Sequence, residues 1–419
     1  MNVAASKVSS ALPARRSYAL TRIATVSDQL IVSVANFLLT IAIGRAFSVE
    51  ELAAYGIGLS VGLMVQALQR HAITIPLVLQ PDSRAARRAT AIATEQLGVL
   101  AIALLGASAI LYMAQAAGAT RYLLLVLGSS AVCLLVYVQL EFARAFLTKL
   151  GRPALLIASA GYYAAAVLAL AVAALSGRLD YVALLVLLGA ATLVHAAAFA
   201  ILSGGVALGR GLSLLAADVR RYGGWAGLAT ATYAGYNHVP LLLLGALAAP
   251  VHAALFVATR SLMQPLQIFL RGLDIADKSG FAGKARAPHS RAALIFTFKL
   301  AALYALVAGV FGLAAGLLAE PLITLAYGEK FAGSGFVLIA WIPLYMLLAA
   351  SMPLESLIYA RQSFRGYYLA RGIASGAAIA AAYPLILWNP DIGAIAACGI
   401  GWLIAVTGTL AVLAKGGRP

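Results

Sequence analysis

The stretch "LFVATRSLMQPLQIFL" (255–270) is apolar enough to lie in a lipid bilayer, yet it contains Arg260 with no acidic residue within ten positions on either side. Arg260, Gln264, Gln267, Arg271 and Asp274 follow i, i+4, i+7, i+11 and i+14, which places all five on one face of a helix. If residue 251 lies at the outer surface, nine residues at 1.5 Å each put Arg260 about 14 Å deep, near the middle of a roughly 30 Å hydrocarbon core. An ionisable residue at that depth marks a functional site by default. Three readings are open: a partner carboxylate on another helix, a snorkelling side chain, or a cationic position in a polar cavity. Pro265 removes the backbone hydrogen bond that would reach residue 261, which predicts a kink beside Gln264.

The rest of the chain matches a membrane reading. Of its 419 residues 63% are apolar and 11% charged, against about 45–50% and about 25% in soluble domains. Windows of roughly 20 apolar residues predict helices at 22–45, 50–78, 88–116, 121–148, 153–176, 180–203, 222–247, 251–275, 291–318, 333–359, 366–388 and 391–414. The roughly ten-residue alternating segments of a transmembrane barrel are missing. The expected fold is an all-α polytopic membrane protein of about 12 transmembrane helices.

The net charge of +16 is distributed by topology. The N-terminus, the 2–3, 4–5, 6–7, 8–9 and 10–11 connections and the C-terminal tail hold 22 of the 30 lysines and arginines. Arg144, Lys149, Arg361, Arg365 and Arg371 are counted among them. The opposite loops hold Arg45, Arg121, Arg178 and Lys330. Because cytoplasmic loops collect Lys and Arg, both termini are expected inside. Attraction to anionic membrane lipids follows as a by-product. A nucleic-acid footprint would be a basic stripe with aromatic platforms, and none is visible. Cys133 and Cys398 fall inside spans and read as small core residues. The early "ARRSYAL" lacks the short apolar core and cleavage site of a signal peptide and reads as the flank of a retained first helix.

The predicted layout is a tail (1–21), an N-lobe of helices 1–6 (22–204), a linker with an interfacial helix (205–221), a C-lobe of helices 7–12 (222–414) and a tail (415–419). The linker sequence "ALGRGLSLLAADVRRYG" interleaves leucines with charges, as an interfacial helix does. The two sets resemble repeats. "LAAYGIGLSVGLM" from Leu52 aligns with "HAALFVATRSLMQ" from His252, and "LEFARAFLTKLGRP" from Leu140 aligns with "LESLIYARQSFRG" from Leu354, bringing Glu141 opposite Glu355. Both matches pair helices six apart, the parallel repeat that transporters build around a midplane site.

Further polar residues lie within the spans. Gln29, Ser33, Asn36 and Thr40 form one stripe of helix 1, with Asp28 beside it. These neutral residues suit a helix seam or a cavity equally. Asp28 is either the partner of a cation such as Arg70 or Arg260, or a titrating coupling residue. Helix 7 offers Thr230, Tyr233 and Asn237, with Tyr236 and His238 beside them; Tyr and Asn suit sugar hydroxyls, although Tyr also sits in cores. Arg70 follows Gln66 by four and either snorkels to lipid phosphate or lines the cavity. Glu141 and Arg144 are i, i+3, a local ion pair or a gate. Glu355 can reach Arg361 or Arg144. His195 and His238 read as hydrogen-bonded core residues. No Walker loop, no metal-ligand cluster and no acidic pair on a large outer loop is present, which excludes ATP hydrolysis and argues against glycosyl transfer by this chain.

"DQLIVSVANFLLTIAIGRAFSVEELAAYGIG" (28–58) resembles the opening of Wzx-type polysaccharide-transport membrane proteins. "YGEKFAGSG" (327–335) and "LIYARQSFRGYYLARG" (357–372) are similar to their second lobe. Those proteins share a superfamily with lipid II flippases and MATE drug exporters. The resemblance implies a flippase that moves polyprenyl-diphosphate-linked oligosaccharide across the bacterial inner membrane by alternating access of two lobes, for surface polysaccharide export. It implies a monomer with no cofactor, driven by a coupling ion such as H+ or Na+, and working beside polysaccharide polymerase and export machinery. In the lipid II flippases the cavity is arginine-rich and includes the eighth helix, the place Arg260 occupies. Their first helix tends to carry arginine, whereas here it carries Asp28 and neutral residues, which favours the polysaccharide branch. Arg260, Gln264, Gln267, Arg271, Asn36, Tyr233, Asn237 and Arg70 are then the expected cavity residues, and Asp28, Glu141, Arg144 and Glu355 the coupling or gate candidates. The alternatives are a cation-coupled multidrug exporter of the same fold, a polysaccharide polymerase or ligase, and a scaffold subunit.

Overall fold

The computed structural model describes residues 11–79, 88–203, 205–270, 273, 291–361 and 363–414. Every regular element among them is helical. The first helices are α1 (Ala11–Ala46) and α2 (Val49–Gln69), which passes through a π-helical turn (Arg70–Thr74) into α3 (Ile75–Leu79). Then follow α4 (Ala89–Ala116), α5 (Arg121–Lys149), α6 (Pro153–Leu175), α7 (Tyr181–Leu202), α8 (Leu208–Asn237), α9 (Val239–Leu247) and α10 (Pro250–Leu262). After the short α11 (Gln264–Leu270) come α12 (Arg291–Leu317), α13 (Ala319–Tyr327), α14 (Gly335–Arg361), α15 (Phe364–Trp388) and α16 (Gly393–Ala414). Ten of the described helical stretches are long and apolar enough to cross a membrane, or eleven if the bent pair α10–α11 counts as one span. The protein is an all-α polytopic membrane protein.

Two departures from twelve continuous spans have local causes. The expected span 222–247 is divided between α8 and α9 at His238. Pro240 has no N–H to return to the carbonyl of Tyr236 and its ring crowds that carbonyl. The expected span 251–275 bends by 40° between α10 and α11, at the step where Pro265 cannot bond back to residue 261. The linker also differs from expectation: no separate interfacial helix forms, because α8 runs unbroken from the amphipathic segment into the apolar one.

The chain divides into two compact units, one of residues 1–39 and 61–227, the other of residues 40–60 and 228–419. The boundary cuts α1 between Leu39 and Thr40 and α8 after Gly227. In the first unit Phe142, Phe146 and Phe199 pack with Leu77, Ile92 and Leu156. A buried hydrogen-bonded chain links Gln69 to Gln96 at 2.7 Å, Gln96 to Gln139 at 3.1 Å, and His195 to Ser159 at 2.8 Å, so His195 is a satisfied core residue. Cys133 and Cys398 are free and buried.

In the second unit the segment 327–335, one of those that carried the family resemblance, closes the C-terminal end of α1. Gly328 takes φ +76°, a conformation that favours glycine. The turn delivers Lys330 Nζ to the carbonyls of Arg45 and Phe47 at 3.1 and 2.5 Å, a cation on helix-terminal carbonyls. Glu320 accepts from the Gly333 and Gly335 amides and so caps the start of α14.

Asp218, on the amphipathic part of α8, is held above its ordinary value of 3.8 by burial, although Arg88 and Arg221 pull it down. A folded-state value above the unfolded one means that the protonated form is the one favoured in place. Its contribution is full below the unfolded value and is lost as pH rises through the raised value. Hydrogen exchange over 208–221 should therefore be slower, after correction for intrinsic rates, at about pH 4 than at about pH 7. Equal or greater protection at the higher pH contradicts this.

Candidate substrate site

Both broken helices of the second unit meet at Arg260. At the end of α8 the Asn237 carbonyl accepts from Arg260 Nη1 at 3.2 Å. The Asn237 side chain donates to the Tyr233 carbonyl at 3.0 Å and accepts from Trp402 Nε1 at 3.1 Å, which fixes both its ends. The Arg260 guanidinium lies 5.9 Å from the ring centroids of Phe256 and of Trp341, within cation–π range. Tyr345 Oη donates to the Arg260 carbonyl at 3.4 Å. Among the described residues Arg260 makes no ion pair, so its positive charge is stabilised by a carbonyl dipole and ring faces alone. Discontinuous helices whose freed backbone groups face a midplane position are how transporters build ion and substrate sites.

Gln264 and Gln267 are half-buried on α11, just past the bend. Arg271 and Asp274, expected on the same stripe, lie outside the described residues. Tyr233 is exposed, and Asn237 is buried.

Sequence reasoning missed Arg371. Counted among the cytoplasmic loop cations, it is in fact buried within α15. Its guanidinium pairs with Glu355 and lies 4.6 Å from the Tyr367 ring and 5.9–6.0 Å from Tyr233, Tyr236 and Trp402. The signal was present: Tyr367, Arg371 and Ser375 repeat every fourth residue, and Ser375 Oγ donates to the Thr232 carbonyl of α8 at 2.8 Å. Close approach of α16 depends on Gly401, where an added Cβ would fall 3.1 Å from Tyr236 Cγ and 3.0 Å from Ala378 Cβ. Glu355 was expected to pair with Arg361 or Arg144. Instead Arg361 Nη1 donates to the Leu413 carbonyl at 2.9 Å, which leaves Glu355 to Arg371.

The first unit treats charge differently. Arg70 grips Glu141 with a bidentate fork, Nε to Oε1 and Nη2 to Oε2, both at 2.7 Å. Gln66 Nε2 donates to the same carboxylate at 3.2 Å. Arg144 Nη1 lies 3.6 Å from Glu141, and Arg144 Nε donates to Asp28. Asp28 therefore pairs with Arg144 rather than with Arg70 or Arg260. Arg144, counted as a loop cation, sits inside α5, one turn from Glu141. The π-helical turn beginning at Arg70 widens the helix at this point, as such turns often do at functional positions. Two carboxylates face two guanidiniums, so the cluster is neutral within itself. Nearby on α1, Asn36 Oδ1 accepts from Tyr163 Oη at 2.5 Å. Glu95, on α4, was also passed over: it is 2% exposed and its Oε1 has no hydrogen-bond partner.

The fold and these charged positions define an all-α polytopic membrane protein with ionisable side chains buried among its helices. Among solved structures the chain is similar to the lipid II flippase MurJ in an inward closed conformation (TM-score 0.71, 13% identity, 93% of this chain and 87% of that one). It is also similar to a multidrug resistance MATE family transporter of the MOP superfamily in an inward-facing conformation (TM-score 0.66, 14% identity, 94% and 98%). At such identities the likeness shows the fold alone. No protein-family model and no curated protein sequence matches the chain.

Proposed function

We propose that this protein is a secondary transporter that flips polyprenyl-diphosphate-linked oligosaccharide across the bacterial inner membrane for surface polysaccharide export, by alternating access. The observation that carries this reading is Arg260: a guanidinium at two helix breaks, with no carboxylate partner among the described residues. Arginine at a membrane-helix centre costs about 2.5–3.5 kcal/mol even on the mildest scales. A neutral side chain would avoid that cost, so the charge is kept for an anionic ligand. A diphosphate matches the guanidinium fork. Gln264 and Gln267 continue the polar track, and Tyr233 meets sugar hydroxyls. The polyprenyl tail remains in the surrounding lipid. The likeness to a lipid II flippase supports a lipid-linked substrate. A coupling ion, H+ or Na+, belongs to this reading, with Glu95 as a buried acid free to take a proton. The monomer works alongside polysaccharide polymerase and export machinery.

A cation-exporting drug transporter of the same fold needs an open carboxylate at the site. Asp28, Glu141 and Glu355 are each held by arginine, and the unpaired Glu95 belongs to the first unit rather than to the Arg260 position, which favours the anionic substrate. The test is deletion of the gene, followed by measurement of lipid-linked oligosaccharide on each leaflet. Accumulation on the inner leaflet is expected. Unchanged surface polysaccharide together with new drug sensitivity would favour the exporter instead.

A further inference from the structure

The Arg371–Glu355 pair is incomplete as a structural ion pair. Arg371 Nη2 donates to Glu355 Oε1, but Arg371 Nε is buried without a hydrogen-bond partner. Three more buried polar atoms without partners lie on the adjoining part of the second unit: Thr230 Oγ1, Tyr236 Oη and His238 Nδ1. Two of them are joined to Arg371 through rings in contact: Arg371 to Tyr236 and Tyr233, and Tyr233 to His238 at 6.2 Å between centroids. Buried polar groups in native proteins are nearly always satisfied, so a cluster of orphans beside a buried cation points to a polar ligand. The pair is also asymmetric. The Arg371 side chain is 8% exposed, whereas Glu355 is 26% exposed and can turn outward.

We propose that Arg371 is an anion-binding subsite for the glycan part of the substrate, and that Glu355 is its built-in placeholder. The ligand is a sugar bearing a carboxylate or phosphate group. Its anionic oxygens replace Glu355 on Nη2 and also reach the unused Nε, which gives the guanidinium the two-pronged acceptor that it lacks. The sugar ring lies against Tyr233, the exposed ring of the aromatic set, while Tyr236 Oη and His238 Nδ1 supply bonds to hydroxyls. Glu355 holds the arginine neutralised when no substrate is bound, and its displacement makes binding an exchange of one anion for another. The subsite deepens the oligosaccharide reading given above and rests on it.

The test is anion rescue of the full-length protein purified in detergent. Glu355→Gln leaves a buried guanidinium without its counter-charge, so its thermal midpoint should fall below that of the native protein. Glucuronate or glucose 1-phosphate should then raise it again by mass action, while neutral glucose should not. If Glu355 occupies Arg371 about nine-tenths of the time, removing it tightens apparent binding about tenfold. Arg371→Gln should abolish the effect, and Arg371→Lys, which keeps the charge but not the fork, should retain only a weak one. Rescue by glucuronate alone assigns the subsite to a carboxylated sugar, and rescue by glucose 1-phosphate alone to a phosphorylated one. Rescue by neither, or equally by glucose, overturns the proposal. The probes carry no lipid, so a negative result leaves the lipid-carrier reading standing, and the leaflet assay can fail independently of this one.

Discussion

Arg260→Ala, inserted at the native level, is expected to lower surface-polysaccharide export by about two orders of magnitude. Truncating one member of a desolvated, hydrogen-bonded charge pair costs about 2–5 kcal/mol, and each 1.4 kcal/mol is about tenfold. The lower half of that range applies, because Arg260 is half-buried and its free-state partner is a carbonyl rather than a carboxylate. Arg260→Lys keeps the charge but loses the planar fork and the stacking on Phe256 and Trp341, and should lie within about tenfold of the native rate. The measurement is export in a complemented deletion strain, normalised to membrane-inserted protein. Full export by Arg260→Ala would remove the basis of the proposed function.

How far the sequence could be read depended on the range of the interaction. Helix existence over 255–270 follows from local periodicity and is found in the structure. The kink at Pro265 is equally local. Partner choice is not. Asp28 had several cations within plausible reach, and only the packing of α1 against α5 selects Arg144 over Arg70. Glu355 likewise had Arg361 six residues away, yet Arg361 is drawn to the last turn of α16, and Arg371 is presented instead. Charge counting by loop hid Arg371 because a cation eight residues into a helix lies close to the predicted loop edge. The aromatic residues around it, Tyr236, Tyr367 and Trp402, come from three separate helices, and no single window could assemble them. Glu95 escaped notice for a similar reason: its isolation is a property of its neighbours, not of its own segment.

The paired charges of the first unit invite a double-mutant cycle that separates structure from coupling. In the first unit Asp28 and Glu141 neutralise Arg144 and Arg70, so this cluster is read as a structural clasp or gate. Asp28→Asn should lower stability by about 3 kcal/mol, the lower end of the 3–5 kcal/mol typical for breaking a buried pair. The lower end applies because Arg144 retains Glu141 at 3.6 Å and its side chain is 18% exposed. Arg144→Gln should cost a similar amount, since Asp28 is then left unpaired. The double variant Asp28→Asn with Arg144→Gln should recover more than half of the summed loss, because two neutral amides carry no uncompensated charge. Thermal denaturation in detergent measures all three. A coupling role for Asp28 predicts the opposite pattern. Asp28→Asn would then keep a native denaturation midpoint and lose transport, and the double variant would recover nothing. Loss of stability on removal of Asp28 marks a structural partner, and loss of transport at native stability marks a titrating residue.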